Sequence, residues 1–192
     1  EKTMAIDLLV IGGSGFVGAR LVQAALAAGL RVAFTYNSHK VELGAPAYKI
    51  ASFEAGDLEL IAAAAATGKP VILSTGMASD DEVAEAVATA RAAGCRDLIV
   101  LHCVSGYPTP PEQMNLRRLD ALAAHALVGI SDHSPGATIA IAAVARGACM
   151  VEKHLTLARA DGGPDAGFSL EPAEMAEVVR GCRTAWAALG DG

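Results

Sequence analysis

Short segments of this chain begin apolar, end polar, and recur about one strand plus one helix apart. They read YKIASFE (48–54), PVILSTGM (70–77), LHCVSGYPTP (101–110), VGISDHSPG (128–136) and VEKHLT (151–156). Their polar ends supply Lys49, Ser52, Glu54, Ser74, Ser105, Tyr107, Ser131, His133 and His154. An ammonium at Lys49 with hydroxyls at Ser52, Ser74 and Ser131 makes a cradle for a small anion, a point charge ringed by donors. His133 follows Ser-Asp and His154 follows Glu-Lys, on neighbouring segments. Two neutral imidazoles so placed suit a single divalent ion. With oxygen and water as the remaining ligands and no thiolate beside them, that ion is Mn²⁺ or Mg²⁺ rather than zinc in a closed site.

Such residues converge only if the strands that carry them share a direction. Apolar runs predict strands at 5–11, 31–36, 47–51, 70–75, 97–103, 127–131 and 148–153. Ala-rich segments predict helices at 16–29, 56–67, 79–93, 112–124, 136–147 and 171–189. Runs such as Leu98-Ile99-Val100-Leu101 are apolar throughout, which implies burial on both sheet faces and parallel pairing through helical crossovers. The carboxyl ends of parallel strands face one side, and that is where the polar ends would meet. The expected fold is α/β: a parallel (β/α) barrel-like sheet, a partial or rearranged TIM barrel of about seven strands. Gly68 and Gly94 mark helix ends, and Asp80, Asp81 and Glu82 complement the start of a helix dipole.

The 192 residues, 53% hydrophobic and 19% charged, suffice for one well-cored domain over 1–192 and exclude a disordered chain. A net charge of -6 with no basic cluster argues against nucleic acid and anionic membrane as partners. No apolar run reaches the ~18 residues of a membrane span. Cys95, Cys103, Cys149 and Cys182 form no zinc spacing, and Cys103 and Cys149 fall in apolar strand-like runs as buried free thiols. No signal peptide precedes the first strand, so the expected compartment is a reducing cytoplasm.

The first strand runs into IGGSGFVG, with Gly12, Gly15 and Gly18 opening a helix. Such a turn admits a pyrophosphate at the helix N-terminus, and Asn37 to Lys40 after the second strand suit NADP better than NAD. Residues 4–40 resemble the opening of extended short-chain dehydrogenases, where GGSGFVG is the cofactor turn. Tyr36 and Lys40 have the spacing of that family's catalytic pair but not its position. The turn also has a purely architectural reading, as the tight corner any βα unit needs. A sequence junction falls near 41–47, between a Rossmann-like 1–44 and a second set of (βα) units over 45–192.

That second set resembles the sialic acid synthase family, which also makes legionaminic and pseudaminic acids. YKIAS, KPVILSTGM, HCVSGYPTP, NLRRL, GISDHSPG and EKHLTL stand in family order. The resemblance implies strands four to eight of a (β/α)8 barrel and a condensation of phosphoenolpyruvate with an open-chain N-acetylated hexose aldehyde, releasing phosphate. It implies that Lys49, Ser52, Ser74, Ser105 and Ser131 contact phosphoenolpyruvate, and that His133 and His154 hold a metal polarising the aldehyde. Glu54, Tyr107 and Asp165 would line the sugar side, giving Glu54, Lys49, Tyr107 and Asp165 catalytic parts. The family's first three βα units and its C-terminal antifreeze-like domain find no counterpart, and Asp165-Ala166 replaces its usual Asp-His. An unclosed sheet of parallel strands predicts self-association. Two other readings stand beside this one: an NADP-binding reductase-like module and an inactive chimeric scaffold.

Overall fold

The computed structural model describes residues 8–10, 32–34 and 47–190. The glycine turn at Gly12, Gly15 and Gly18, the predicted helix 16–29, Tyr36 and Lys40 lie outside the described residues. Two sheets are present, both parallel. In one, β1 (Leu8–Val10) pairs with β2 (Val32–Phe34). In the other, β3 (Tyr48–Ile50), β4 (Val71–Ser74), β5 (Leu98–Cys103), β6 (Leu127–Asp132) and β7 (Val151–Lys153) stand side by side in chain order. The described crossovers carry α1 (Leu58–Ala65), α2 (Asp80–Ala92), α3 (Arg118–Leu122) and α4 (Thr138–Ala145), and α5 (Pro172–Leu189) follows β7.

The five-stranded sheet curls into a half-barrel. Lys49 on one outermost strand and Glu152 on the other approach to 3.4 Å across its concave face, a distance no flat five-stranded sheet permits. Strand alternation divides the side chains between the two faces. Ile50, Leu73, Leu98, Val100 and Ile130 point outward and form the main core with Ile61, Val83, Ala86 and Leu119 from the helices. Ala47, Ile72 and Leu101 form a smaller cluster on the inner side, with Ile99 and Met150 against it. Gly129 is required at its place in β6: a Cβ there would stand 2.6 Å from the Met150 carbonyl oxygen and 2.5 Å from Leu101.

The ends of α2 follow local chemistry. Ser79 accepts from the Glu82 amide at 3.3 Å while the Glu82 carboxylate accepts from the Ser79 amide at 2.7 Å, a reciprocal cap. The predicted helix 112–124 is shorter than expected. Pro110 and Pro111 allow only a 3-10 turn at Pro111–Gln113, Asn115 takes a left-handed φ of 40°, and α3 starts at Arg118. A second correction concerns Cys149. It is exposed in the connection between α4 and β7 rather than buried in a strand: its amide already donates to Val128 O at 2.8 Å, but β7 itself starts only at Val151. Cys103 is buried, as its run predicts.

Candidate functional site

Register decides which polar groups meet. β5, β6 and β7 align Cys103 with Ser131 and Ser131 with Glu152 in one transverse row on the inner face. Ser131 Oγ donates to Glu152 Oε1 at 2.6 Å, and Lys49 Nζ reaches Glu152 Oε2 at 3.4 Å. The Lys49 and Glu152 side chains are only 4% and 7% exposed, so this pair is a buried one. Lys49 also donates to its neighbour's carbonyl, Ile50 O, at 3.1 Å. The Cys103 thiol sits against the Ser131 and Ser52 hydroxyls, and burial pushes its pKa up, keeping it a thiol. The Ser52 hydroxyl also lies against the Tyr107 phenol, whose pKa burial likewise raises.

Next in the same direction come the imidazoles. The Tyr107 and His133 rings are 4.4 Å apart, His133 and His154 are 5.1 Å apart, and Phe168 closes the group 5.0 Å from His154. His133 Nδ1 lies 3.1 Å from the Val104 carbonyl oxygen, which can only accept; the proton is therefore on Nδ1 and the Nε2 lone pair is free. Burial lowers the pKa of both His133 and His154, and His154 lowers that of His133 further, so both rings stay neutral. Asp165 Oδ2 stands 3.7 Å from His154 Nδ1. The loop bearing Asp165 and Phe168 is pinned from below. Ser169 Oγ donates to Asp165 O at 2.7 Å, and Arg159 binds Ser169 O at 3.0 Å and Glu174 Oε1 at 3.0 Å.

Lys49, Ser52, Tyr107, Ser131, His133, His154 and Asp165 thus lie along one run of contacts, linked through Glu152 and Cys103. Ser74 and Ser105 sit at the neighbouring ends of β4 and β5 with buried hydroxyls that bond nothing in the protein. Glu54 is exposed, and its carboxylate accepts from the Ala51 amide at 2.8 Å, capping the 3-10 turn Ser52–Glu54. Glu152 and Phe168 are the members that sequence reading missed. Glu152 shares the parity of His154 in VEKH, which signals its inward face once that strand's direction is known. Phe168 lies in a loop without periodicity, and no sequence signal places it.

The donor set fits the groups inferred above. Buried, unpartnered hydroxyls beside a buried ammonium suit an anion. Two neutral imidazoles at 5.1 Å, one with its tautomer fixed by a backbone carbonyl, suit a shared divalent ion. No group of three or more His, Cys, Asp and Glu gathers as a metal site among the described residues.

The sequence model of the NeuB family matches residues 32–192. The chain belongs to the NeuB family. It is 41% identical over 155 residues to an N,N'-diacetyllegionaminic acid synthase of Campylobacter jejuni, a match covering 79% of this chain and 46% of that protein. It is 40% identical over 151 residues to a pseudaminic acid synthase of Helicobacter pylori, covering 78% and 44%. This NeuB chain spans about half the length of the curated relatives it matches. Among solved structures, an N-acetylneuraminic acid synthetase from Leptospira borgpetersenii, in complex with citrate, superposes with a TM-score of 0.80 at 30% identity. That superposition covers 98% of this chain and 75% of the other. These matches support a nonulosonate synthase type of function and a TIM-barrel-like fold; none of them supports the reductase reading.

Proposed function

We propose that the concave face of the half-barrel binds phosphoenolpyruvate and a divalent cation, and joins C3 of the former to the carbonyl carbon of an N-acetylated hexose aldehyde, with one water consumed and inorganic phosphate released. The observation that carries this reading is the unbroken run of side chains from Lys49 through Glu152, Ser131, Cys103, Ser52 and Tyr107 to His133 and His154. One end of the run offers an ammonium and hydroxyls, the chemistry of an anion site. The other offers two neutral imidazoles beside an aromatic wall, the chemistry of a metal-assisted carbonyl site.

Within this reading, Lys49 supplies charge to the phosphoenolpyruvate and Ser52, Ser74 and Ser105 donate hydrogen bonds to its oxygens, joined by Ser131 once its one proton turns away from Glu152. His133 and His154 hold Mn²⁺ or Mg²⁺, which when bound polarises the aldehyde oxygen as a Lewis acid. Tyr107 and Phe168 flank the imidazoles and exclude water from that side. Asp165, held by its loop beside His154, orients the acceptor, and Glu54 stands at the rim of the same strand ends. The half-length relation to the synthases makes the acceptor itself a matter for binding assays.

Isothermal titration calorimetry with Mn²⁺ and with phosphoenolpyruvate tests the proposal on the native chain and on His133→Ala, His154→Ala and Lys49→Met. Native binding of Mn²⁺ that disappears in the two histidine variants, with phosphoenolpyruvate binding lost in Lys49→Met, is the expected result. An equal null response from all four proteins would leave the chain an inactive scaffold. NADPH titration of the native chain should show no saturable binding at millimolar cofactor.

A further inference from the structure

We infer that the buried Asp132–Lys153 pair is a positioning device that sets the spacing between His133 and His154; this rests on the proposed reading of the two histidines as metal ligands. Register pairs Asp132 of β6 with Lys153 of β7, and the residues that follow them are the two histidines. Lys153 Nζ lies 3.0 Å from Asp132 Oδ2 and donates to Ser134 O at 2.5 Å. Asp132 Oδ1 in turn accepts from the Ser134 amide at 2.8 Å and from Ser134 Oγ at 2.6 Å. His133 therefore has both its chain neighbours held by a single ammonium, and that ammonium belongs to the residue preceding His154.

The pair is the most deeply buried charge in the described residues, with side chains 2% and 0% exposed. It cannot touch a ligand on the concave face. Asp132 and Lys153 share the outward faces of Ile130 and Val151, and Cys182 of α5 lies close enough to feel both charges. Apolar side chains at such a place generally fold as well or better, since an ion pair must overcome the desolvation of both charges. What apolar packing lacks is direction. Two hydrogen bonds from Lys153, at 3.0 and 2.5 Å, tie the end of β7 to the end of β6, and two more between Ser134 and Asp132, at 2.8 and 2.6 Å, fix the turn that carries His133. The separation of those strand ends is the one two imidazoles must keep to share an ion, and partners behind metal-ligating histidines commonly set affinity in this way.

The test is Mn²⁺ affinity by calorimetry together with the electron paramagnetic resonance line shape of bound Mn²⁺. Lys153→Met alone leaves a buried carboxylate unpaired and invites unfolding, so the double variant Asp132→Leu/Lys153→Met carries the test, its folding checked by circular dichroism. It should fold with a Tm at or above the native value, bind Mn²⁺ about 10- to 100-fold more weakly, and give an altered line shape. Ser134→Ala, which removes one hydrogen bond and leaves no charge unpaired, should weaken binding several-fold and serves if the double variant does not fold. Native affinity and an unchanged spectrum in a folded variant would overturn the inference. His133→Ala separates the two levels. If it abolishes Mn²⁺ binding while the double variant binds as the native chain does, only the positioning role fails. If it leaves binding unchanged, the metal reading fails first.

Discussion

His102 shows how one buried ring couples folding to pH. It points outward from β5, is 3% exposed, and its Nε2 donates to Met114 O at 2.7 Å, while Nδ1 is buried without a partner. Burial lowers its pKa from the ordinary value near 6.5, and His133 and His154 shift the same way. The unfolded chain therefore binds more protons than the folded one once pH drops below about 6.5, and stability present above that pH is lost as it falls. Thermal melts from pH 8 to 5 should show Tm declining below 6.5. His102→Gln, which keeps a donor for Met114 O, should show a shallower decline. Parallel slopes for the two proteins would refute the assignment. Among single residues, the strand-end serines and histidines were legible in the sequence because each stands in the polar cluster that closes a strand-like segment. Glu152 was not, because its inward direction and its meeting with Lys49 depend on register and curl.

Elements tell a similar story. All of the predicted strands overlap strands in the structure, and β4 and β5 show why most plainly, since segments buried on both faces write themselves as nearly unbroken apolar runs. The helix expected at 112–124 failed at its start, where Pro110, Pro111 and the left-handed Asn115 override the propensity of the residues after them. One loop matters for the site. Gly76, after β4, has φ +52°, and a Cβ there would stand 2.4 Å from Ser52 Cβ. Gly68, after α1, has φ +73° with nothing within 4 Å. Both Gly→Ala variants pay for a left-handed backbone, but only Gly76→Ala also pushes on Ser52. Gly76→Ala should lose about 1–3 kcal/mol more stability than Gly68→Ala by denaturant titration. It should also bind phosphoenolpyruvate less tightly, whereas Gly68→Ala should bind it as the native chain does. Equal affinities would mean that Ser52 does not line the anion site.

At the scale of the molecule, β3 and β7 are the outermost strands of the five-stranded sheet among the described residues. Parallel strands at the margin of a sheet present unpaired backbone groups to another chain, and a curled sheet offers its concave face as well. Trp186 and Leu189, 58% and 48% exposed on α5, add apolar surface. Self-association is the expected outcome, and sedimentation velocity at micromolar concentration checks it; a monomer throughout would show that the margins are protected. Parallel pairing and a barrel-like curl were legible from the alternation of apolar runs and helices. The closeness of β3 to β7 was not, because curl is a property of the assembled sheet rather than of any one segment.

The Lys49–Glu152 pair carries a consequence for how fast a ligand arrives. An anion site usually advertises itself through an unbalanced positive field that draws its ligand in from a distance. Here the one buried ammonium of the cradle is already balanced by a carboxylate 3.4 Å away, inside a molecule whose net charge is -6. A phosphoenolpyruvate, whose carboxylate and phosphate together carry between about two and three negative charges at neutral pH, meets weak repulsion on approach and gains its attraction only on contact. Its association rate in stopped-flow mixing should therefore hold steady or rise as ionic strength increases from about 0.01 to 0.15 M, as screening removes that repulsion. A rate that falls with salt would mean the ammonium is felt in solution. On this account the cradle selects by fit after collision, and the crowd of other cellular anions is not concentrated at its mouth.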